Sequence, residues 1–367
     1  MPLNKAHEGY EYQDLLTIHF VLNEILNDFK SEFIIDKKEN SFDKFDDLTI
    51  IRNGKIFKKQ IKYSQNHIIE KSNLSSKGTY ELALDLLYHS WLNHSDKKNI
   101  CDYRLCLAWD EPTDELTQIL QPIANDSTFV NYFDSKTFRV NLDLFWKEGK
   151  TPLKSWKRFN KEGKNIDRNS FKDFCSILTI ELKLPKFSLN FDSPDALENI
   201  VINQVEQIGI GIYPNDSIDK INFILRLMHI IKRKRVDGSK LNIDYIFDTF
   251  KIKTDYGSIK QTFPINYDEN IYSKTKLKDL YNSILENKTS ILTGEPGSGK
   301  SWLVNNLIDY LNVNNVSVVK HYCYTDLEDE FQKERIKLDV FYGNLISEII
   351  KKFPYLKKIK RNNTIRI

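Results

Sequence analysis

An Asn-Gly pair between two strand-like segments is the feature that most constrains how this chain folds. Residues 46–62 read Asp-Asp-Leu-Thr-Ile-Ile-Arg-Asn-Gly-Lys-Ile-Phe-Lys-Lys-Gln-Ile-Lys, so β-favouring runs flank Asn53-Gly54 on both sides. Asn-Gly is the strongest short-range signal for a two-residue hairpin turn, because both turn positions require a positive φ. The sequence therefore predicts a tight antiparallel hairpin at this point.

A turn of this length also fixes which residues face one another across the hairpin. Counting back from the turn places Asp47 opposite Gln60, and strand alternation places Lys62 on the same face one step further along. Asp46 points to the other face. A three-residue loop would shift the register and place Asp46 opposite Gln60 instead.

A carboxylate, an amide oxygen and an ammonium at this spacing suit the hydrolysis of a phosphodiester. Mg²⁺ or Mn²⁺ takes oxygen ligands, here Asp47 and Gln60 with Asp46 as the alternative acid, and it polarises the phosphate and acidifies bound water. Lys62 would stabilise developing negative charge. Because Gln60 supplies a neutral oxygen, we expect weaker metal binding than at a pair of carboxylates. The competing interpretation is an edge hairpin whose lysines are solvated or protect the edge.

The pattern around the hairpin predicts an α/β domain with a mixed sheet flanked by helices. Apolar residues at three- and four-residue spacing indicate helices, and short β-rich runs indicate strands. The expected elements are helices over 10–29, 79–91, 196–208, 217–233 and 242–250 and strands over 32–36 and 103–109.

A glycine-rich segment further along the chain has a complete phosphate-binding pattern. It reads Gly294-Glu295-Pro296-Gly297-Ser298-Gly299-Lys300-Ser301 and matches G-x-x-x-x-G-K-[ST]. It lies between a predicted strand over 290–293 and a predicted helix over 302–311. Backbone N–H groups would cradle the phosphates of ATP, Lys300 would reach the β- and γ-phosphates, and Ser301 would bind Mg²⁺. A chance glycine turn is the alternative, and the agreement of strand, loop and helix argues against it.

The sequence after this loop does not supply the acid that nucleotide hydrolysis would require. A strand over 316–322 and a helix over 338–352 are expected, and no apolar strand ends in an acidic pair, so hydrolysis of ATP stays open. Residues 251–276 lack a clear period and contain Gly257 and Pro264, which is typical of a linker. The expected organisation is 1–250, with a helical part over about 193–250, then linker 251–276 and a second domain over 277–367.

The composition indicates a folded protein and argues against a membrane-spanning or secreted one. With 40% hydrophobic and 12% aromatic residues the chain is expected to fold, and no apolar run reaches the roughly 18 residues of a membrane helix. Met1–Gln13 has no secretory pattern, so we expect a cytoplasmic protein without a membrane partner. The four cysteines form no CxxC pair, which argues against zinc and disulfides.

Charge is concentrated in two places although the net charge is only +3. Residues 147–172 contain nine basic and three acidic residues with interleaved aromatics, and 232–235 read Lys-Arg-Lys-Arg. Both stretches are candidate phosphate contacts. The alternatives are a solvated face and, for 232–235, charges that suit the C-terminus of a helix.

The hairpin and the first helix together resemble a known superfamily. Gly9-Tyr10-Glu11-Tyr12-Gln13, Asp46-Asp47 and Gln60-Ile61-Lys62 resemble PD-(D/E)xK nucleases, and more narrowly the double-stranded DNA endonuclease effector of antiphage defence, which is attached to CBASS sensors or STAND NTPases. The resemblance implies a restriction-endonuclease-like mixed sheet. It also implies that Asp47 is the metal-binding acid, Gln60 the second ligand position, Lys62 the catalytic lysine and Gln13 a support from the first helix.

A second resemblance covers the region beyond the glycine-rich loop. Residues 339–346 read Asp-Val-Phe-Tyr-Gly-Asn-Leu-Ile and resemble the segment after the P-loop of antiphage, AVAST-like STAND NTPases. The resemblance implies that ATP and a viral trigger protein drive homo-oligomerisation, which brings nuclease domains together on double-stranded DNA. The helical lobe and repeat sensor of that family do not follow here, so we expect the effector with the beginning of the NTPase, either as a truncation or from a disrupted gene, and trigger recognition outside this chain.

Two other classes of function compete with a nuclease. A non-catalytic module that binds nucleic acid or protein under nucleotide control is favoured by Gln60 standing where the superfamily has a carboxylate. A motor-type ATPase with an accessory domain would need a Walker B acid and further motor motifs.

Overall fold

The computed structural model describes residues 3–27, 29–124, 134–162, 165–187, 196–212, 215–253, 259, 261, 263, 273–287, 289–325 and 329–353. The chain separates into two compact units. The first comprises Met1–Ile210 and Ile218–Ile252, and the second comprises Gly211–Ser217 and Lys253–Ile367. Most of the expected linker over 251–276 lies outside the described residues. Among the described helices, none combines the length and apolarity that crossing a membrane requires.

An eight-stranded mixed sheet forms the centre of the first unit, in the order β5-β6-β7-β4-β3-β2-β1-β8. Strands β3, β4 and β7 run parallel to one another, and the other neighbours are antiparallel. The mixed α/β character expected from the sequence is confirmed. The strands are β1 Ser31–Ile35, β2 Leu48–Arg52, β3 Lys55–Lys62, β4 Ile100–Leu107, β5 Leu120–Ile123, β6 Lys136–Val140, β7 Leu178–Leu182 and β8 Leu241–Asn242.

Helices cover both faces of this sheet. They are α1 Leu3–Leu26, α2 Lys71–Ser75, α3 Leu84–Leu92, α4 Leu116–Ile119, α5 Leu142–Phe145, α6 Lys157–Glu162, α7 Arg168–Ile177, α8 Leu197–Gln207, α9 Lys220–Asp237 and α10 Ile243–Phe250. Several begin at side-chain caps that the sequence provides: Asp167 caps α7, Asp219 caps α9 and Asn242 caps α10. The helix expected over 79–91 begins only at Leu84, because Thr79 and Tyr80 lie in a turn and Glu81 has a φ of 52°, outside the helical region.

The sheet divides the core into two apolar clusters, which define its two faces. On the α1 face, residues of α1, α8, α9 and α10 pack together with Ile61 of β3 and Cys106 of β4. On the α7 face, Phe171 and Phe174 of α7 pack together with Tyr103, Leu105 and Leu107 of β4. Successive residues of β4 alternate between the clusters, as strand geometry requires.

The hairpin has the predicted turn and register. Asn53 and Gly54 have φ values of 52° and 75°, so both turn residues adopt the positive φ that this turn requires. Arg52 pairs with Lys55, and Leu48 pairs with Lys59. Extending this register by one residue places Asp47 opposite Gln60, so the three-residue loop is excluded.

The second unit contains four described helices: α11 Lys274–Glu286, α12 Lys300–Val313, α13 Gln332–Arg335 and α14 Leu338–Lys352. Leu277 packs with Leu307 and Leu311 to join α11 to α12. The strands expected over 290–293 and 316–322 are wrong, since the residues of both segments belong to no strand or helix. Ile291 is 84% exposed, which shows that this segment has no apolar neighbours to bury it. A parallel strand is stabilised by strands and helices on both sides, and an apolar run alone does not supply them.

Candidate functional site

Asp47 and Lys62 meet at the end of the hairpin. Lys62 Nζ lies 3.6 Å from Asp47 Oδ2, and the same oxygen accepts a hydrogen bond of 2.6 Å from the backbone amide of Ile61. Asp47 lies one residue before the first paired residue of β2. Its side chain accepts a hydrogen bond from the backbone amide of Ile61, at a position where β2 no longer pairs with β3. This arrangement leaves the Asp47 side chain 11% exposed beside a single ammonium.

Gln60 lies on the same face as Lys62. In the parallel register Gln60 pairs with Leu105 and Lys62 with Leu107, and both leucines belong to the cluster on the α7 face. Gln60 is buried, and its Oε1 has no hydrogen-bond partner among the described residues. A buried carbonyl oxygen without a partner costs free energy and is commonly found where a ligand, ion or water binds.

The buried position of Asp47 alters its acidity. Burial raises the pKa of this carboxyl from 3.8 to about 6, against the opposing effects of Lys62 and the Ile61 amide. The neighbouring carboxylates of Asp46 and Asp36 raise it further. A carboxyl held in this state favours a cation beside it, because a cation would stabilise the charged form.

Asp46, the alternative acid, has different surroundings. Its Oδ2 lies 3.9 Å from Lys38 Nζ, and its backbone carbonyl accepts a hydrogen bond from the amide of Lys37. Burial raises the pKa of Asp46 as well. With the observed register, Asp46 is not the residue opposite Gln60.

Gln13 lies on α1, which packs on the opposite face of the sheet from Gln60 and Lys62. It is buried, and its Nε2 has no hydrogen-bond partner among the described residues. Helix α1 reaches the same end of β3, because Tyr12 stacks on Tyr63 with ring centroids 4.5 Å apart. The supporting role of Gln13 stays a prediction, since no described contact joins it to Asp47, Gln60 or Lys62.

The donor set at this site fits a hard divalent cation of low affinity. Asp47 supplies carboxylate oxygen and Gln60 an unpartnered carbonyl oxygen, which are the ligand types that Mg²⁺ and Mn²⁺ prefer. Among the described residues, no group of three or more His, Cys, Asp and Glu side chains could hold a metal ion. A cation here would therefore rely on one carboxylate, one amide and ligands from water or substrate.

A buried ion pair that the sequence interpretation missed holds the segment leading to Asp47. Lys58 Nζ lies 2.5 Å from Asp43 Oδ2, and each side chain is 2% exposed. Asp43 also accepts hydrogen bonds from the backbone amides of Glu39 and Phe45 and from Ser90. Lys58 precedes Gln60 by two residues, so strand alternation places both side chains on the same face of the sheet. This alternation was the signal in the sequence that the Lys58 side chain points toward the core.

The two basic stretches differ in how their charges are used. In 232–235, Arg235 bonds to buried Asp14 at 2.5 Å and lies 3.3 Å from Asp36, and Lys232 lies 3.7 Å from Asp14. Lys234 bonds to Ser239. Three of its four charges thus have partners within the protein, and Lys232 and Arg235 join α9 to Asp14 of α1.

The glycine-rich loop of the second unit has the backbone conformation its sequence demands. Gly297 and Gly299 have φ values of 78° and 80°, in the region that glycine adopts at low cost. A Cβ at Gly294 would lie 2.9 Å from Ser298 Oγ, so only glycine fits there without displacement. The loop leads into α12, which begins at Lys300.

Lys300 and Ser301 lie at the start of that helix. Lys300 Nζ donates to the carbonyls of Gly294 at 2.8 Å and Glu295 at 2.7 Å, across the centre of the loop. Ser301 is exposed, and its carbonyl accepts a hydrogen bond from Asn305, whose Oδ1 accepts one from Tyr322. The predicted phosphate-binding residues are thus together at the start of α12, and two loop carbonyls hold the lysine ammonium.

Comparison with known proteins bears on the second unit. Residues 269–364 match the family model described as Nephrocystin 3, N-terminal, a domain found in NTPase-like proteins. The matched range contains the whole glycine-rich loop and covers well under half of the chain. No curated protein and no solved structure matches the chain.

Proposed function

We propose that the first unit is a metal-dependent endonuclease that hydrolyses double-stranded DNA. The observation that carries this proposal is the convergence of the Asp47 carboxylate, the Lys62 ammonium 3.6 Å away and the unpartnered Gln60 oxygen at one end of the sheet. The resemblance to PD-(D/E)xK nuclease effectors supports the same assignment. In this assignment, Asp47 and Gln60 would bind Mg²⁺ or Mn²⁺, and Asp46 would not be a ligand.

Each residue has a distinct part in this proposal. A bound divalent cation would polarise the phosphate and acidify a water molecule. Lys62 offsets negative charge that develops on the phosphate oxygens, and its contact with Asp47 holds the ammonium in place. The hydrogen bond from the Ile61 amide fixes the Asp47 carboxylate against the strand. Gln13 is a supporting residue.

The second unit is proposed to bind ATP and to control the nuclease as a STAND-type module. The glycine-rich loop and the match to a domain of NTPase-like proteins support nucleotide binding. Nucleotide binding would then favour homo-oligomerisation and activation in prokaryotic antiviral defence, in the cytoplasm.

A plasmid-cleavage assay on the full chain tests the nuclease. We expect cleavage with Mg²⁺ or Mn²⁺, loss of cleavage with EDTA, and a drop of about 10²-fold or more in Asp47→Ala and Lys62→Ala, as expected when charge stabilisation is removed. Asp46→Asn is the matched control, because it changes an adjacent carboxylate outside the site and should retain most activity. Cleavage that persists in EDTA, or that survives both alanine variants, would refute the assignment.

One observation favours a second candidate, a non-catalytic module that binds nucleic acid or protein under nucleotide control. Gln60 stands where a second carboxylate would bind metal, and the described residues contain no three-ligand cluster. The same assay separates the candidates, since this module would bind DNA without cleaving it under any metal condition.

A further inference from the structure

Residues 147–172 contain six described lysines whose side chains point to solvent. We call this set the lysine surface. Every member is exposed, and within the described residues none lies in an ion pair with a carboxylate of the protein. Its members are Lys147, Lys150, Lys154, Lys157, Lys161 and Lys172.

The other basic and aromatic residues of the same stretch have internal partners. Arg158 binds Asp85 through two hydrogen bonds of 3.2 Å and 2.7 Å, and Arg168 binds Asp143 and the carbonyl of Trp146. The interleaved aromatics Trp156, Phe159 and Phe171 are fully buried. The arginines and aromatics therefore fix the segment to the core, and the lysines remain on its outside.

The lysine surface lies on the side of the sheet that carries the proposed catalytic groups. Phe159 of α6 and Phe171 of α7 belong to the apolar cluster on the α7 face, which also contains the strand partners of Gln60 and Lys62. Lys157 and Lys161 are four residues apart on α6, so they share the side of that helix away from buried Phe159.

We propose that the lysine surface binds the phosphate backbone of the DNA duplex that the site cleaves. This inference rests on the proposed nuclease function and adds the element that holds the substrate. Lysine ammonium groups bind phosphates without reading base sequence. Proteins that hold single strands stack bases on exposed aromatic rings, and the aromatic rings named above are buried, which favours duplex over single-stranded DNA.

Measuring DNA binding under conditions without cleavage tests the lysine surface separately from catalysis. The full chain is titrated in EDTA against a fluorescent duplex of mixed sequence, and the affinity is measured over a range of salt concentrations. For Lys154→Gln/Lys157→Gln/Lys161→Gln we expect weaker binding and a salt slope reduced by about 0.9 for each lysine that contacts a phosphate. The reduction should be the same on unrelated duplex sequences.

A matched control carries the same charge change elsewhere. Lys30→Gln/Lys77→Gln/Lys98→Gln removes three exposed lysines outside the lysine surface and should leave affinity and slope close to wild type. Both variants alter only exposed side chains, so equal thermal unfolding midpoints will show that each is folded. Unchanged affinity and slope in the surface variant would overturn the inference, as would equal losses in the control.

Competition and cleavage separate the remaining outcomes. If a single strand or an acidic polypeptide of equal charge displaces the duplex as well as unlabelled duplex does, the duplex-specific inference is wrong. Wild-type cleavage with unaltered binding by the surface variant would refute the lysine surface and leave the nuclease standing. A lysine-dependent salt slope without any metal-dependent cleavage would refute the nuclease and leave the surface standing.

Discussion

Lys62 Nζ lies 3.6 Å from Asp47 Oδ2, and the two residues come from different strands of one hairpin. The Lys62 ammonium does not fully offset the free-energy cost of burying the charged Asp47 carboxylate, since the pKa of Asp47 stays raised to about 6. Folding therefore places a charge in a position that costs stability at neutral pH. Such a cost is common at sites where function rather than stability selects the residue.

Asp47→Asn should stabilise the chain at neutral pH in the absence of divalent cations. A pKa raised from 3.8 to about 6 corresponds to about 3 kcal/mol, and this value already includes the opposing effect of Lys62, so we expect a gain of about 1–3 kcal/mol. Chemical unfolding at pH 7.5 in EDTA measures the difference.

The pH dependence follows from the direction of this shift. Because the folded-state pKa is raised, the folded chain holds the proton more tightly than the unfolded chain, and this stabilisation is complete below about pH 4. It is lost as pH rises to about 6. The advantage of Asp47→Asn should therefore grow between pH 4 and pH 7, and a constant or shrinking difference would contradict the raised pKa.

Gln60→Glu should strengthen metal binding. The change places a second carboxylate opposite Asp47 on the same face, and added ligand charge raises affinity for a hard cation. We expect Mg²⁺ to bind about tenfold more tightly by calorimetry, with a larger metal-dependent rise in the unfolding midpoint. Gln65→Glu, an exposed change beyond the end of β3, is the control. Equal metal affinity in both variants would show that Gln60 is not a ligand.

Lys58→Met should strongly destabilise the first unit. The variant leaves the Asp43 carboxylate buried without its cation, and breaking a buried ion pair in this way costs about 3–5 kcal/mol. Lys58 is also what lowers the pKa of Asp43 against the opposing effect of burial. Lys38→Met removes a mostly exposed partner of Asp46 and should cost under about 1 kcal/mol. Guanidinium unfolding compares the two, and similar losses would contradict the role assigned to Lys58.

Gly294→Ala should weaken nucleotide binding through one specific contact. The added methyl group would lie 2.9 Å from Ser298 Oγ and would displace that hydroxyl, which lies 3.4 Å from Lys300 Nζ. We expect ATP affinity, measured by thermal shift and calorimetry, to fall about tenfold or more, as it should in Lys300→Ala. Adding Ser298→Ala removes the oxygen that collides, so the double variant should recover most of the affinity. No recovery would mean that the loop fails for another reason.

The hairpin is predictable from sequence because its determinants are local. Asn53 and Gly54 set the turn, alternation sets the faces, and together they place Asp47, Gln60 and Lys62 without knowledge of the rest of the chain. The bond between Asp43 and Lys58 depends on a loop folding back over the sheet. Nothing in residues 37–47 alone specifies that contact.

The pairing of strands that are far apart in the sequence also cannot be predicted from local patterns. Strand β3 pairs in parallel with β4 and β4 with β7, and no local pattern specifies which of these distant segments pair. The aromatics between 147 and 172 have the composition of a nucleic-acid surface, yet Trp156 and Phe171 are core residues. Residues 290–293 have strand-like composition but lack the neighbouring strands that would make them one.

The two-residue turn at Asn53-Gly54 gives the chain an unusual sensitivity to length. If one residue were inserted and the turn kept its two-residue length, the returning strand would slide by a single position, which would bring Asp46 across from Gln60 and turn Asp47 toward the helices on the other face. Such a slide would exchange one acid for its neighbour without altering either amino acid. Natural or engineered variation in loop length at this spot would thus change chemistry as directly as a substitution.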